Sequence, residues 1–262
     1  MAQEGFEYEK NAFLALKKYK ISFGTPAGAS SDKPDLMVQL PKSGKYTGVE
    51  LKTTAASGGS LVIKYYNGKW SLGPTDNKPE KEFLAEMAKK YKLLEQMNKG
   101  KWKGKVPHLQ NDPNNPKKKI IIGAKSKEIA RQKDLKLFGG QNEIKVKIPG
   151  KVICDYYIIK KCSYLNVGTH GFYTLNNKDL LGLNTKLKQM KYDKIPNFAD
   201  TVGLQVRIRP QYKGGSDYQF MLNLEFTRVD KSPYNIAPIA KNSKSVVDKE
   251  QLRKNPILLA FQ

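Results

Sequence analysis

The 262-residue chain carries 47 Lys and Arg against 24 Asp and Glu, a net charge of +23. Hydrophobic residues make up 39% of it, enough for a real core, and no run approaches the ~18–20 apolar residues of a membrane-crossing helix. This balance argues against a helical membrane protein. It points to a polyanionic partner, nucleic acid before a membrane surface, since no basic amphipathic helix or lipidation motif accompanies the charge.

Residues 4–19 (EGFEYEKNAFLALKKY) read as a helix, with Phe6, Phe13 and Leu16 at helical spacing and Glu9 inside that apolar stripe. Residues 20–33, with Gly24, Pro26 and Gly28, read as a loop or short strand. Residues 35–40 (DLMVQL) and 46–53 (YTGVELKT) read as strands joined by a turn at Pro41, Ser43 and Gly44, hence an antiparallel hairpin. A further hairpin is expected around Asn67-Gly68, a strong turn pair. Residues 80–98 read as one helix, with Phe83, Leu84, Met87, Tyr91, Leu94 and Met97 on its apolar face and Pro79 at its start. Residues 99–118 read as a long basic loop, and Lys119–Ala124 as a buried strand. From 144 to 229 the pattern is mostly β, with strands at 152–159, 164–167 and 171–175. A long amphipathic hairpin follows at 202–209 and 218–226, turning at Gly214-Gly215. Residues 231–262 form a mixed tail with a short helix near 246–254.

The residues that carry chemistry lie in the first hairpin. Side chains alternate faces along a strand, so Glu50 and Lys52 share one face and Val49 and Leu51 the other. The short turn brings Asp35 across from them, and Pro34 keeps the chain extended at that point. Two converging carboxylates repel unless a hard cation neutralises them. Mg²⁺, with Mn²⁺ as a substitute, suits oxygen donors such as Asp35, Glu50 and the Leu51 carbonyl. Lys52 is then placed to hold a water or to stabilise charge on a phosphate.

The run PDLMVQLPKSGKYTGVELKTT resembles the PD-(D/E)xK nucleases, a superfamily that includes many restriction enzymes and junction resolvases. The resemblance covers about twenty residues directly. The order helix, motif hairpin, helix, strand extends it to roughly the first 125. It implies an α/β (mixed α+β) fold: a restriction-endonuclease-like core of a central mixed sheet flanked by helices, with an added β-rich C-terminal portion. The corresponding domain plan is 1–125 for the nuclease core, 126–230 for a β-rich portion that either serves DNA recognition or packs into the same domain, and 231–262 for the tail. The resemblance also implies a Mg²⁺-dependent endodeoxyribonuclease, either restriction-like or a phage or repair nuclease, with Asp35, Glu50 and Lys52 at its centre. Glu9 matches the glutamate that many members carry on the first helix, facing the metal.

The expected partner is double-stranded DNA, with no membrane. Cutting both strands needs two sites, hence a homodimer. Arg207 and Arg209, with Gln205, form a polar face on the late hairpin that suits a DNA groove. Lys117, within Pro116–Lys119, suits a phosphate clamp. Two competing expectations are a catalytically inactive DNA-binding module and an RNA-associated basic protein. The first segment, MAQEGFEYEK, has no apolar leader, so a cytoplasmic location is expected. Cys154 and Cys162 are then reduced thiols. Together with His108 and His170 they lack the paired spacing of a zinc site. No phosphate-binding glycine loop indicates ATP use.

Overall fold

The computed structural model describes residues 2–17, 33–40, 43–53, 57–115, 118–213, 217–239, 246 and 255–262. Among these it is mixed α and β, with eight α-helices and eleven strands, in agreement with the expected class. The chain forms two compact units. The first comprises Met1–Ala56, Pro149–Leu204 and Phe226–Gln262; the second comprises Ser57–Ile148 and Gln205–Glu225. Both are discontinuous in sequence, whereas the sequence plan drew consecutive blocks.

With elements numbered along the chain, the first unit holds a four-stranded sheet. Its strands are β1 (Leu36–Gln39), β2 (Tyr46–Lys52), β8 (Cys162–Val167) and β9 (Gly171–Thr174), neighbours in that order. β1 and β2 form the antiparallel hairpin expected from the sequence, with Leu36 opposite Val49. β2 runs parallel to β8, entered from helix α5 (Lys151–Ile159), and β8 is antiparallel to β9. The alternation of strand side chains gives the sheet two different faces. Leu36, Val38, Val49, Leu51, Tyr164 and Phe172 share a core with Tyr8, Ala12 and Leu16 of α1 (Ala2–Lys17). Leu183 and Leu187 of α6 (Leu183–Gln189) and Ile257 and Leu258 of α8 (Pro256–Phe261) complete it. The other face carries Glu50, Leu165 and Tyr173 in register. It is covered by α5 and by α7 (Phe198–Thr201), whose Phe198 ring lies 5.1 Å from Tyr173.

The second unit holds a five-stranded sheet in the order β4 (Lys69–Leu72), β3 (Ser57–Tyr66), β11 (Asp217–Val229), β10 (Val202–Lys213), β7 (Ile144–Ile148). Helices α2 (Pro79–Lys90), α3 (Leu93–Lys99) and α4 (Lys127–Phe138) accompany it, with a small ribbon of β5 (Leu109–Asn111) and β6 (Lys119–Ile121). Its interior is aromatic: Trp70, Trp102, Phe138 and Phe220 meet edge-on or tilted at 4.8–5.9 Å. Asn67 and Gly68 turn β3 into β4 with positive φ values of 50° and 73°, the backbone that such a turn demands.

Several expectations change. Residues 152–159 are helix α5, not a strand, and α6 and α7 also interrupt the region read as β. The single helix over 80–98 is two, broken where Lys92 adopts a left-handed φ of 52°. Lys119–Ile121 is half-buried in a two-stranded ribbon, and Ile122 is exposed, so the apolar run is not an interior strand. On α1 the buried stripe is Tyr8, Ala12 and Leu16, whereas Phe6 is exposed. Helix α4 was not foreseen. Tyr19, the loop at 20–32, Pro41, Gly214-Gly215 and nearly all of the expected helix at 246–254 lie outside the described residues. No described helix is long and apolar enough to cross a membrane.

Candidate active site

The site begins with a close approach of two backbones. Gly48 on β2 lies against the Pro34 ring, which occupies the place a Cβ would take, and that place is also 3.0 Å from the Lys161 carbonyl. A side chain there would push Pro34 away, and Asp35 with it. β8 carries a register irregularity opposite Gly48 and Val49, and Thr47 donates to Ser163 across it at 2.8 Å. Such bulges re-aim neighbouring side chains.

Asp35 is buried, and its Oδ2 accepts the Leu51 N–H at 2.7 Å. Glu50 is buried as well. Its Oε1 accepts from Lys52 Nζ at 2.6 Å and from Lys160 Nζ at 3.0 Å, and its Oε2 accepts from Lys160 Nζ at 2.8 Å. The Tyr157 ring lies 5.8 Å from the Lys52 ammonium and 5.6 Å from that of Lys160. The strand pair thus brings Asp35, Glu50, Leu51 and Lys52 together as the sequence spacing predicts. Helix α5 covers part of the face that carries Glu50, with Tyr157 and Lys160 turned toward it.

The charges are strongly perturbed. Burial pushes the Asp35 carboxyl up to about 7, helped by the negative charges of Glu50 and Glu9 and opposed by Lys52 and the Leu51 N–H. Burial also works to raise Glu50, but the Lys52 and Lys160 ammoniums hold it below the ordinary carboxylate range. Lys52 is raised well above its usual value: burial would lower it, and Glu50 outweighs that. Glu9, half-buried on α1, is raised by burial and by Glu50, with Lys52 and Lys160 opposing. It therefore feels the same cluster from the helix, as its place on α1 suggested.

Lys160 and Tyr157 were missed. They lie three residues apart on α5 and its cap, on one helical face. The signal was present in the burial spacing: Ile153, Cys154, Tyr156 and Tyr157 are the buried positions, a helical pattern. Reading the segment as a strand concealed it.

The other sequence-predicted residues lie elsewhere. Arg207 and Arg209 belong to the second unit, where carboxylates engage both. Arg207 meets Glu143 at 2.6 Å and Glu225 at 3.4 Å, and Arg209 meets Glu225 at 3.7 Å. Lys117 is outside the described residues. Tyr65 and Trp70, which follow the motif hairpin in sequence, are buried in the aromatic interior of the second unit. His108 Nδ1 lies 3.0 Å from Asp134, which also accepts the His108 and Leu109 backbone N–H groups.

Among the described residues no three His, Cys, Asp or Glu side chains gather to hold a metal ion by themselves. The oxygen donors on hand are the Asp35 and Glu50 carboxylates and the Leu51 main-chain carbonyl. No protein-family model, curated protein or solved structure matches the chain.

Proposed function

We propose that the chain is a metal-dependent endonuclease that hydrolyses a phosphodiester of double-stranded DNA, with Asp35, Glu50 and Lys52 as its catalytic residues. The observation that carries this reading is the convergence of two buried carboxylates, Asp35 just before β1 and Glu50 on the adjacent β2, with the Lys52 ammonium beside Glu50. Support also comes from element order. Helix, motif hairpin, helix and parallel strand follow as α1, β1–β2, α5 and β8, with residues 57–148 intervening. The sequence expectation had drawn that helix and strand from segments 80–98 and 119–124, which instead lie in the second unit. The net charge of +23 suits a polyphosphate partner.

A magnesium ion fits the donor set. Asp35 and Glu50 are two neighbouring buried carboxylates, and burial first, then the Glu50 charge, raises the Asp35 carboxyl, a cost that a hard cation relieves. Mg²⁺ is commonly bound by one or two carboxylates plus substrate phosphate and waters, so a third acidic side chain is not required. Asp35, Glu50 and the Leu51 carbonyl would hold it. Once bound, it would supply Lewis-acid chemistry, polarising the phosphate and easing loss of a proton from water.

The chain's own groups do the rest. Asp35 is held by the Leu51 N–H, so its aim is fixed by the strand register. Lys52, with its side chain one quarter exposed, can reach the phosphate, orient the attacking water and balance charge as five oxygens crowd the phosphorus. The water oxygen gives up a proton to solvent and forms the new bond to phosphorus, an ester oxygen of the sugar leaves, and that oxygen takes a proton back from solvent. Glu9 senses the charges of Lys52, Glu50 and Lys160 from helix α1.

One observation favours a second reading, an inactive DNA-binding module: the two lysines already neutralise Glu50 without a metal. The two readings separate on supercoiled plasmid incubated with wild type or Lys52→Ala, in Mg²⁺ or chelator. Cutting by wild type in Mg²⁺ alone supports the nuclease. Equal cutting by both proteins removes Lys52 from catalysis. Binding without cutting favours the module.

A further inference from the structure

We propose that the two lysines on Glu50 have different tasks: Lys160 is a permanent positioning residue, and Lys52 is an exchangeable counter-ion that an entering divalent cation displaces. This rests on the metal site of the proposed nuclease and states how that site is loaded and armed.

Acceptor capacity limits what Glu50 can hold. An ionised carboxylate offers about four lone-pair directions, two on each oxygen. Glu50 Oε1 is filled by Lys52 at 2.6 Å and Lys160 at 3.0 Å. Oε2 receives Lys160 at 2.8 Å and only a long contact from the Cys162 thiol at 3.9 Å. A cation that uses Oε1 must therefore remove one ammonium.

The two ammoniums are not equivalent. The Lys160 side chain is 8% exposed and bonds both oxygens, whereas that of Lys52 is 24% exposed and bonds one. Separating the more buried ammonium from the carboxylate it bonds through both oxygens leaves a poorly solvated charge undercompensated, so Lys160 stays. Lys52 has water at hand and can leave. The fold reinforces this asymmetry. Lys160 caps the C-terminus of α5, where the helix dipole favours a cation, and Tyr157 of the same helix lies against its ammonium.

The consequence is functional. In the metal-free site Lys52 is occupied by Glu50 and is not free to serve a phosphate. Cation entry releases Lys52 while Lys160 keeps the Glu50 carboxylate aimed. Cofactor loading and presentation of the catalytic ammonium become one event.

The test uses the metal-free full chain and needs no substrate. Mg²⁺ is titrated calorimetrically into wild type, Lys52→Met, Lys160→Met and Lys160→Arg. In parallel, the lysine ammonium resonances of wild type are followed by nitrogen-edited NMR. Removing the competing Lys52 hydrogen bond should tighten Mg²⁺ binding about tenfold. Lys160→Met should weaken it by a similar factor, because Glu50 loses its anchor and Lys52 becomes its sole partner, while Lys160→Arg stays near wild type. On adding Mg²⁺ the Lys52 resonance should shift and that of Lys160 should hold.

Binding by wild type with no tightening in Lys52→Met, or a shift at Lys160 rather than Lys52, overturns the exchange and leaves the nuclease reading standing. Absence of Mg²⁺ binding in every variant overturns both. If Lys160→Met fails to fold by circular dichroism, the wild-type resonances still decide.

Discussion

Replacing Asp35 with Asn should inactivate the site and yet stabilise the protein. The carboxyl moves from 3.8 to about 7 on folding, chiefly because it is buried and faces Glu50. A shift of that size makes ionisation in the folded protein about 4 kcal/mol costlier than in the unfolded chain. The sign follows from linkage. The folded state prefers the protonated carboxyl, so this group's contribution is full below pH 3.8 and is lost as pH rises through about 7. An asparagine keeps an oxygen to accept the Leu51 N–H but cannot ionise. Asp35→Asn should therefore gain about 2–4 kcal/mol over wild type at pH 8 and markedly less at pH 5. Urea unfolding of both proteins at the two pH values measures this. Added Mg²⁺ should then stabilise wild type at pH 8, by about 2.7 kcal/mol at one hundred times its dissociation constant, and Asp35→Asn far less. A stability difference that does not change between pH 5 and pH 8, or a variant less stable than wild type at pH 8, refutes the reasoning.

Other predictions follow from the same geometry. Gly48→Ala places a methyl group on the Pro34 ring and should lower stability by about 1–3 kcal/mol in urea, with loss of any Mg²⁺ binding as Asp35 shifts. Tyr8→Phe removes the hydroxyl that donates to the Ala237 carbonyl at 2.7 Å and accepts from Asn166 at 3.0 Å. It should cost about 1–3 kcal/mol in the same assay, since two buried partners lose a bond. Arg207→Ala leaves the buried Glu143 without its shortest ion pair. It should reduce stability while leaving the salt dependence of DNA binding unchanged, because that guanidinium is already engaged. A smaller salt slope would instead make Arg207 a phosphate contact.

The hairpin that brings Asp35, Glu50 and Lys52 together was legible because strand periodicity and a short turn fix it locally. Pairing Leu36 with Val49 leaves little freedom in where Asp35 falls. The rest of the site was hidden for identifiable reasons. Residues 152–159 are rich in branched and aromatic side chains, so local preference favoured a strand. The helix forms because its buried positions, Ile153, Cys154, Tyr156 and Tyr157, line one side that packs in the first unit. With α5 misread, Lys160 had no reason to stand near Glu50, more than a hundred residues earlier in the chain. Phe6 drew attention on apolarity alone, yet Tyr8 is the buried residue because its hydroxyl finds partners inside. At Arg207 and Arg209 the strand pattern gave the face correctly, but the carboxylates that engage them come from β11 and from Glu143, which no local pattern reveals.

The most direct measurement pairs DNA binding with DNA cutting in one reaction, comparing wild type with Glu50→Gln on supercoiled plasmid at fixed salt. The account predicts that both bind, that wild type nicks or linearises the plasmid only when Mg²⁺ is present, and that Glu50→Gln leaves it supercoiled. Plasmid cut equally by Glu50→Gln, or cut in chelator, would contradict it.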